Sequence, residues 1–105
     1  MKLRIIEERW GINRKTGLKS VEKTDEQAVV PTAGMEMFFT IGKRRFVIDY
    51  VGDDFIEITI KNKNSNFDKS WKLLVNEIIK YRTRSFDGGY QYKIVFLEED
   101  KDWRN

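Results

Sequence analysis

Apolar and polar residues alternate most regularly between positions 35 and 60. The apolar positions recur every second residue, which is the period of a strand with one buried face. Turn residues at 42–43 and 52–54 divide this segment into three strands. Tight loops there would pair Phe39 with Phe46 and Tyr50 with Ile56. The pattern therefore predicts an antiparallel meander with one apolar face, formed by Met35, Met37, Phe39, Ile41, Phe46, Ile48, Tyr50, Ile56, Ile58 and Ile60.

Strands are also predicted at the two ends of the chain. Residues 2–10 are rich in β-branched and long side chains, and the turn-forming residues at 13–17 follow them. A first hairpin that returns through residues 18–23 follows from this pattern. Residues 24–34 show no clear period, so they are predicted to form a connection. Alternation resumes at 90–98, which predicts a last strand.

Between the meander and the last strand, apolar residues recur at helical spacing. Steps of three and four residues predict an amphipathic helix over about 66–83. Ser65 and Asp68 resemble a capping box at its start, and Arg82 and Arg84 would suit the negative end of the helix dipole. The helix would cover the apolar face of the meander with Phe67, Trp71, Leu74, Val75, Ile78 and Tyr81.

These elements together predict an α+β fold in the order β-β-β-β-β-α-β. The sheet would be mostly antiparallel and curved, with about six strands, and partly barrel-like. One amphipathic helix, at about 66–83, would pack on one face of it. The length of 105 residues fits a single domain spanning 1–105, with residues 98–105 forming a solvated tail.

Composition limits the chemistry of the chain more than it identifies a function. Of the 105 residues, 40% are apolar, which is enough for a packed core, and none is cysteine or histidine. Thiol nucleophiles, disulfides, histidine triads and metal sites built from cysteine or histidine are therefore excluded. The sequence contains no glycine-rich phosphate-binding motif either. We expect no enzyme activity and assign no catalytic, cofactor-binding or metal-binding residues.

Charge and hydropathy indicate an expected location but not a partner. The sequence has neither a secretory h-region nor an apolar stretch long enough for a bilayer, so we expect a cytoplasmic protein without a membrane partner. Its 20 basic and 17 acidic side chains leave a net charge of only +3. The total charge therefore does not indicate a polyanion partner. Whether the protein can bind a polyanion depends on how the charges are distributed over the folded surface.

Carboxylates cluster near the last strand, where they resemble half of a metal-dependent nuclease site. Glu99, Asp100 and Lys101 have the order acid, any residue, lysine that such sites use. The other half needs an acidic residue on a neighbouring strand, for which the sequence offers Asp87 or Asp49. Turn chemistry and a solvated tail explain these acids more simply. A metal-dependent nuclease is thus a remote alternative.

Basic residues lie beside aromatic residues in three groups, which suits phosphates and unstacked bases. The groups lie at 9–15, 43–45 and 80–86. Solvation of a hairpin tip and the dipole of the predicted helix explain the last two groups without a ligand. A small nucleic-acid-binding protein is therefore the alternative function, with Lys43, Arg44, Arg45, Arg82 and Arg84 as its candidate contacts.

The leading hypothesis concerns the sheet face that points away from the predicted helix. Apolar and polar residues are mixed on this face, and half-apolar outer faces are usually covered. The cover would be the first hairpin, the connection at 24–34, a protein partner or a second copy of the chain. We therefore predict a non-enzymatic interaction or regulatory module, acting on a protein partner or as a homodimer, with a candidate partner face of Phe38, Val47, Val51, Phe55, Val95 and Leu97.

Overall fold

The computed structural model is all-β and describes residues 1–34, 37–42, 44–61, 68–82 and 88–98. In this part of the chain there is no helix, and hence none long and apolar enough to span a membrane. Eight strands follow one another in chain order: β1 (Lys2–Ile12), β2 (Lys19–Val29), β3 (Met37–Ile41), β4 (Arg44–Val51), β5 (Phe55–Lys61), β6 (Lys69–Leu74), β7 (Ile78–Arg82) and β8 (Gly88–Leu97).

The strands form two four-stranded antiparallel sheets. The first sheet has the order β2-β1-β8-β7, and the second has the order β3-β4-β5-β6. At the centre of the first sheet, the first and last strands pair directly, with Leu3 opposite Phe96 and Ile5 opposite Ile94. The sheets are open and do not close into a barrel, so the predicted partly barrel-like sheet of about six strands is wrong.

The two sheets enclose one apolar core. Phe46 of the second sheet stacks on Phe39 with a ring centroid distance of 5.6 Å, and it meets Tyr92 of the first sheet edge-on at 5.5 Å. The apolar face of the meander is therefore covered by another sheet rather than by a helix. The core residues are Leu3, Ile5, Tyr92, Ile94 and Phe96 from the first sheet and Ile41, Phe46, Ile48, Ile56, Ile58, Ile60 and Leu73 from the second.

The predicted first hairpin is confirmed, but its second strand is longer than expected. Its turn is closed by the side chain of Asn13, whose Oδ1 accepts hydrogen bonds from the backbone N–H groups of Lys15 and Thr16. Gly17 follows with a φ of 71°. β2 then continues to Val29, so most of the predicted connection is strand. Because β2 is an exposed edge strand, it needs no apolar alternation that the sequence would reveal.

The predicted meander is confirmed in β3, β4 and β5, with one error of register. Phe39 lies opposite Phe46, as expected. A bulge at Asp49 then inverts the alternation, so Tyr50 pairs with Glu57 instead of Ile56 and is 53% exposed. Val51 turns inward and packs against the core in its place. Met35, which the pattern placed on the apolar face, lies outside the described ranges.

The predicted helix at 66–83 is wrong, because its described part forms two strands. β6 pairs with β5 in the second sheet, and β7 pairs with β8 in the first. Asn76, at the corner between them, has a φ of 66°, which asparagine adopts more readily than most residues. The corner is bonded to both sheets, since Val75 N donates to the carbonyl of Asp54 and Asn76 N donates to that of Phe96. The fold is therefore all-β rather than α+β.

This corner also explains why the apolar spacing resembled a helix. Trp71 and Leu73 of β6 lie on the core side, as does Tyr81 of β7. The core-side residues keep one period of two through the corner, from Trp71 to Tyr81, and apolar residues of the opposite, exposed face fall between them, which produces steps of three and four residues. Leu74 and Ile78, which the helix would have buried, are each 48% exposed. Backbone pairing with distant strands decides the outcome, as it often does for ambiguous apolar runs.

Candidate nucleic-acid interface

The outer face of the first sheet, which points away from the core, gathers basic side chains. Since Leu3 and Ile5 point into the core, the alternate residues of β1 point outward. Cross-strand pairing continues this face, with Arg4 beside Val95 and Val95 beside Ile78. We call this surface the basic face; its charged residues within the described ranges are Lys2, Arg4, Glu8, Lys19, Lys23, Glu26, Lys80, Arg82 and Lys93.

The basic face is more positive than the chain as a whole. Its seven basic and two acidic residues give a net charge of +5. The entire sequence has a net charge of +3, so all its remaining charges sum to −2. Glu26 makes ion pairs with Lys23 at 3.2 Å and with Arg4 at 3.8 Å, which still leaves a positive excess on the face. Folding therefore concentrates a positive potential that the total charge conceals.

Three apolar residues of the basic face are buried beneath its long cationic side chains. Ile6, Val95 and Leu97 are 6%, 0% and 5% exposed, although they lie outside the core cluster. Each has a basic cross-strand neighbour: Lys93, Arg4 and Lys2, respectively. Lysine and arginine lay their aliphatic stems over apolar neighbours while the charged ends reach water. These three residues are therefore covered by their own chain and need no partner.

Trp10 lies on the basic face between two cations. The Arg82 guanidinium carbon is 4.6 Å from the centre of the indole ring, and the Lys19 ammonium nitrogen is 5.8 Å from it. Trp10 is only 5% exposed, and its neighbour on β8 is Gly89, which has no side chain to compete for the space. Both contacts are within the range of cation–π attraction, so the tryptophan fixes the position of the two charges.

A row of polar side chains crosses the basic face. Arg82 Nη2 donates to Gln91 Oε1 at 3.0 Å, and Gln91 Nε2 donates to Glu8 Oε1 at 3.0 Å. Lys93 Nζ lies 3.8 Å from the same Glu8 oxygen. The row holds cations of β7 and β8 at set positions before any ligand arrives, which lowers the entropy cost of binding.

The residues predicted to contact nucleic acid do not lie together in the structure. Arg82 is on the basic face, whereas Arg45 lies on the outer face of the second sheet, 4.2 Å from the ring centre of Phe38. Arg44 lies 5.7 Å from the ring centre of Tyr92. Lys43 and Arg84 are outside the described residues. Sequence reasoning missed the basic residues that alternate with apolar ones along β1 and β8, because it searched for runs of neighbouring cations instead of one strand face.

The predicted partner face is also divided between the two sheets. Val95 and Leu97 lie on the basic face and are buried, whereas Phe38 and Val47 lie on the outer face of the second sheet. Phe38 is 62% exposed, but Val47 is 9% exposed. Phe55 shares that outer face and stacks on Tyr50, while the bulge at Asp49 turns Val51 toward the core. The six residues therefore form no single surface.

A polar cluster of the first sheet, centred on the buried Glu7, lies against the β3–β4 turn of the second sheet. Glu7 is 4% exposed, and its carboxylate accepts hydrogen bonds from the hydroxyl groups of Tyr92 at 2.7 Å and Thr24 at 2.8 Å. Gly42 lies against the same carboxylate, since a Cβ built there would be 2.8 Å from Glu7 Oε1. Both hydroxyl donors of the cluster are satisfied by the Glu7 carboxylate, so the cluster links β1, β2 and β8 within the first sheet.

Tyr92 makes stability sensitive to alkali. Burial, and then the hydrogen bond and charge of Glu7, raise the pKa of Tyr92 well above its ordinary value of 10.0. The folded protein therefore keeps this proton at a pH where the unfolded chain loses it, so the stabilisation is complete below pH 10 and falls as the pH rises further. Urea unfolding on both sides of this pH should show a steeper loss for the wild type than for Tyr92→Phe. Equal slopes would contradict the role of this hydroxyl.

The described acidic residues do not form a metal site. No three of them within those ranges lie close enough to hold an ion together. Asp49 instead accepts a hydrogen bond from the Thr59 hydroxyl. The other residues of the hypothetical nuclease site, Asp87 and 99–101, fall outside the described ranges. The finding on metal sites therefore concerns the described residues alone, and the nuclease alternative stays a prediction.

Comparisons with protein-family models, with curated proteins and with solved structures find no match for this chain. The functional argument therefore depends on the basic face.

Proposed function

We propose that this protein binds nucleic acid by contacting the phosphate backbone with its basic face. The observation that carries the proposal is the net charge of +5 on one side of one sheet, in a chain whose total is +3. A regular array of phosphates is the common biological polyanion that such a face can neutralise, with release of the condensed counterions.

The arrangement favours backbone contacts over the reading of bases. Base stacking needs an accessible ring, whereas Trp10 is 5% exposed and already contacts Arg82 and Lys19. The exposed large apolar residues of this face, within the described ranges, are the aliphatic Ile12, Val21 and Ile78. Phosphate contacts position a protein on nucleic acid without specifying sequence, so we propose binding with little base preference.

The cations are placed so that a strand of nucleic acid can cross the sheet. Lys19 and Lys23 lie on the edge strand β2, while Lys80 and Arg82 lie on the opposite edge strand β7. Between the edges, the row through Gln91 continues the polar surface across β8 and β1. A backbone crossing all four strands would meet positive charge at both edges.

Reversing two charges at the β7 edge tests this proposal. Lys80→Glu combined with Arg82→Glu should weaken binding of a fluorescein-labelled oligonucleotide roughly 100-fold, because two attractions become repulsions. The matched control is Arg45→Glu with Lys72→Glu, which changes the net charge equally on exposed residues of the second sheet. Fluorescence anisotropy at several salt concentrations measures both affinities.

The wild type should lose affinity steeply with salt. If the basic face neutralises about five phosphates, the logarithm of the binding constant should fall against the logarithm of salt concentration with a slope of about −4. The control variant should bind like the wild type. Equal weakening of both double variants, or no retention of single-stranded or duplex DNA at low salt, would overturn the proposal.

The predicted protein-interaction role, including the homodimer, stays a prediction. The residues chosen for it lie on two sheets, and the buried apolar residues of the basic face are flanked by cations of the same chain. On the outer face of the second sheet, Tyr50 and Leu74 remain exposed beside Phe55. This small group does not match the charge asymmetry of the basic face as a functional signal, so we do not base the proposed function on it.

A further inference from the structure

One hydrogen-bond donor of the basic face lacks an acceptor. The indole Nε1 of Trp10 is buried, and it has no hydrogen-bond partner among the residues that the structure describes. Tryptophan is a donor only, and its N–H group usually finds a partner when it is buried. The N–H is covered in the free protein, and an unmade hydrogen bond of this kind costs about 1–3 kcal/mol, so an acceptor that gained access to it would bind favourably.

The same ring has two positive charges next to it. Arg82 and Lys19 lie 4.6 and 5.8 Å from the ring centre, on residues that the sequence separates widely. Two cations held near one ring repel each other, and an anion between them would convert this repulsion into attraction. Gly89, the cross-strand neighbour of Trp10, leaves the β8 side of the ring without a competing side chain.

From these observations we propose that Trp10, Arg82 and Lys19 form a phosphate anchor within the basic face. One non-bridging oxygen of a backbone phosphate accepts the indole N–H of Trp10, and the two non-bridging oxygens together contact the guanidinium of Arg82 and the ammonium of Lys19. A backbone phosphodiester suits this task because its two non-bridging oxygens share one negative charge and each can accept more than one hydrogen bond. The inference rests on the proposed function and names the point at which one backbone phosphate is held most tightly.

The anchor also explains the position of Arg82. Its guanidinium is exposed, hydrogen-bonded to Gln91 and placed over the indole. A charged group held by both contacts loses little further freedom when phosphate binds. Lys80 is exposed on the same strand but lies beside Lys93 instead of an aromatic ring, so it contributes attraction without this geometry.

The salt dependence of binding separates the indole from the cations. Trp10→Phe keeps a ring for the two cations but removes the N–H, so affinity for a labelled oligothymidylate should fall roughly ten-fold while the salt slope stays unchanged. Arg82→Gln removes one phosphate contact and should reduce the slope by about one. Trp71→Phe makes the same chemical change in the second sheet and should bind like the wild type.

The outcomes distinguish this anchor from the proposed function itself. If the wild type binds and Trp10→Phe binds equally well, the anchor is overturned while the basic face keeps its role. A reduced salt slope in Trp10→Phe would mean that the ring only places the cations, which overturns the N–H contact. If Trp71→Phe weakens oligonucleotide binding as much as Trp10→Phe does, the loss of affinity comes from a change in the fold, and the anchor is also overturned. If the wild type does not bind at low salt, the proposed function fails first.

A measurement on the unmodified protein does not depend on the folding of any variant. In a ¹⁵N-labelled sample, the indole N–H resonance of Trp10 should move when inorganic phosphate or oligothymidylate is added, while that of Trp71 stays in place. Phosphate that moves the resonance only at concentrations far above those of the oligonucleotide still supports the contact, because one anchor lacks the other contacts of the face. A Trp10 resonance that does not move at saturating oligonucleotide refutes it.

Discussion

Phe46→Ala should lower the free energy of unfolding by about 3–5 kcal/mol, the usual cost of deleting a fully buried phenylalanine. Phe46 is 0% exposed and contacts Phe39 in its own sheet and Tyr92 in the other. The substitution leaves a cavity between the sheets and removes both ring contacts. Since small domains are stable by only about 5–15 kcal/mol, much of the total would be lost. Urea denaturation followed by far-ultraviolet circular dichroism measures the change.

Phe38→Ala is the matched control for this prediction. Phe38 is on the strand paired with that of Phe46, but it is 62% exposed on the outer face, where it contacts Arg45. The same truncation there should cost less than about 1 kcal/mol, as is usual for exposed positions. If the two variants lose similar stability, then β3 and β4 do not face the first sheet as described.

Gly42→Ala should destabilise the protein by about 3 kcal/mol, through backbone strain and overpacking together. Gly42 has a φ of 59°, a conformation that disfavours a side chain. A Cβ there would also lie 2.8 Å from Oε1 and 2.9 Å from Cδ of Glu7. The carboxylate cannot retreat without losing the hydrogen bonds from Tyr92 and Thr24. Thermal and urea unfolding both report this loss.

Gly17→Ala separates the two causes. Gly17 has a similar φ of 71°, but a Cβ there would have nothing within 4 Å. It should therefore show the strain alone, about 1 kcal/mol. In a Glu7→Ala background, the cost of Gly42→Ala should fall to the same value, because the atoms that it would strike are gone. A cost that is unchanged in that background would mean that the Glu7 carboxylate does not lie against Gly42.

The candidate site shows how far sequence reasoning reaches for a surface. Arg82 was among the predicted contacts because it lies in a cluster of neighbouring basic residues. Lys19, Lys23 and Lys93 lie outside such clusters in the sequence, and only the pairing of β2 with β1, of β1 with β8 and of β8 with β7 brings them to one face with Arg82. A binding surface made from four strands combines residues from segments that are far apart in the sequence. Runs of neighbouring charged residues therefore identify only a small part of it.

The error at residues 69–82 has the same origin. Trp71, Leu74, Ile78 and Tyr81 have a spacing that fits a helix and also fits two strands that change sheet at a corner. β-branched and aromatic residues at these positions favour strands only modestly. Strands form here because the backbone groups of β6 and β7 make their hydrogen bonds with β5 and β8, respectively. A prediction made from residues 69–82 alone cannot take these partner strands into account.

By itself, the sequence determined the local features: the turn that Asn13 and Gly17 close, the strands of the meander, and the inward side of Phe39, Phe46 and Ile58. These depend on turn chemistry and on a period of two, which act between near neighbours. Only the tertiary structure decided the bulge at Asp49, the pairing of the first strand with the last and the gathering of positive charge on one face. Those features depend on contacts between residues far apart in the chain. A local sequence pattern contains no information about the free energy of such contacts.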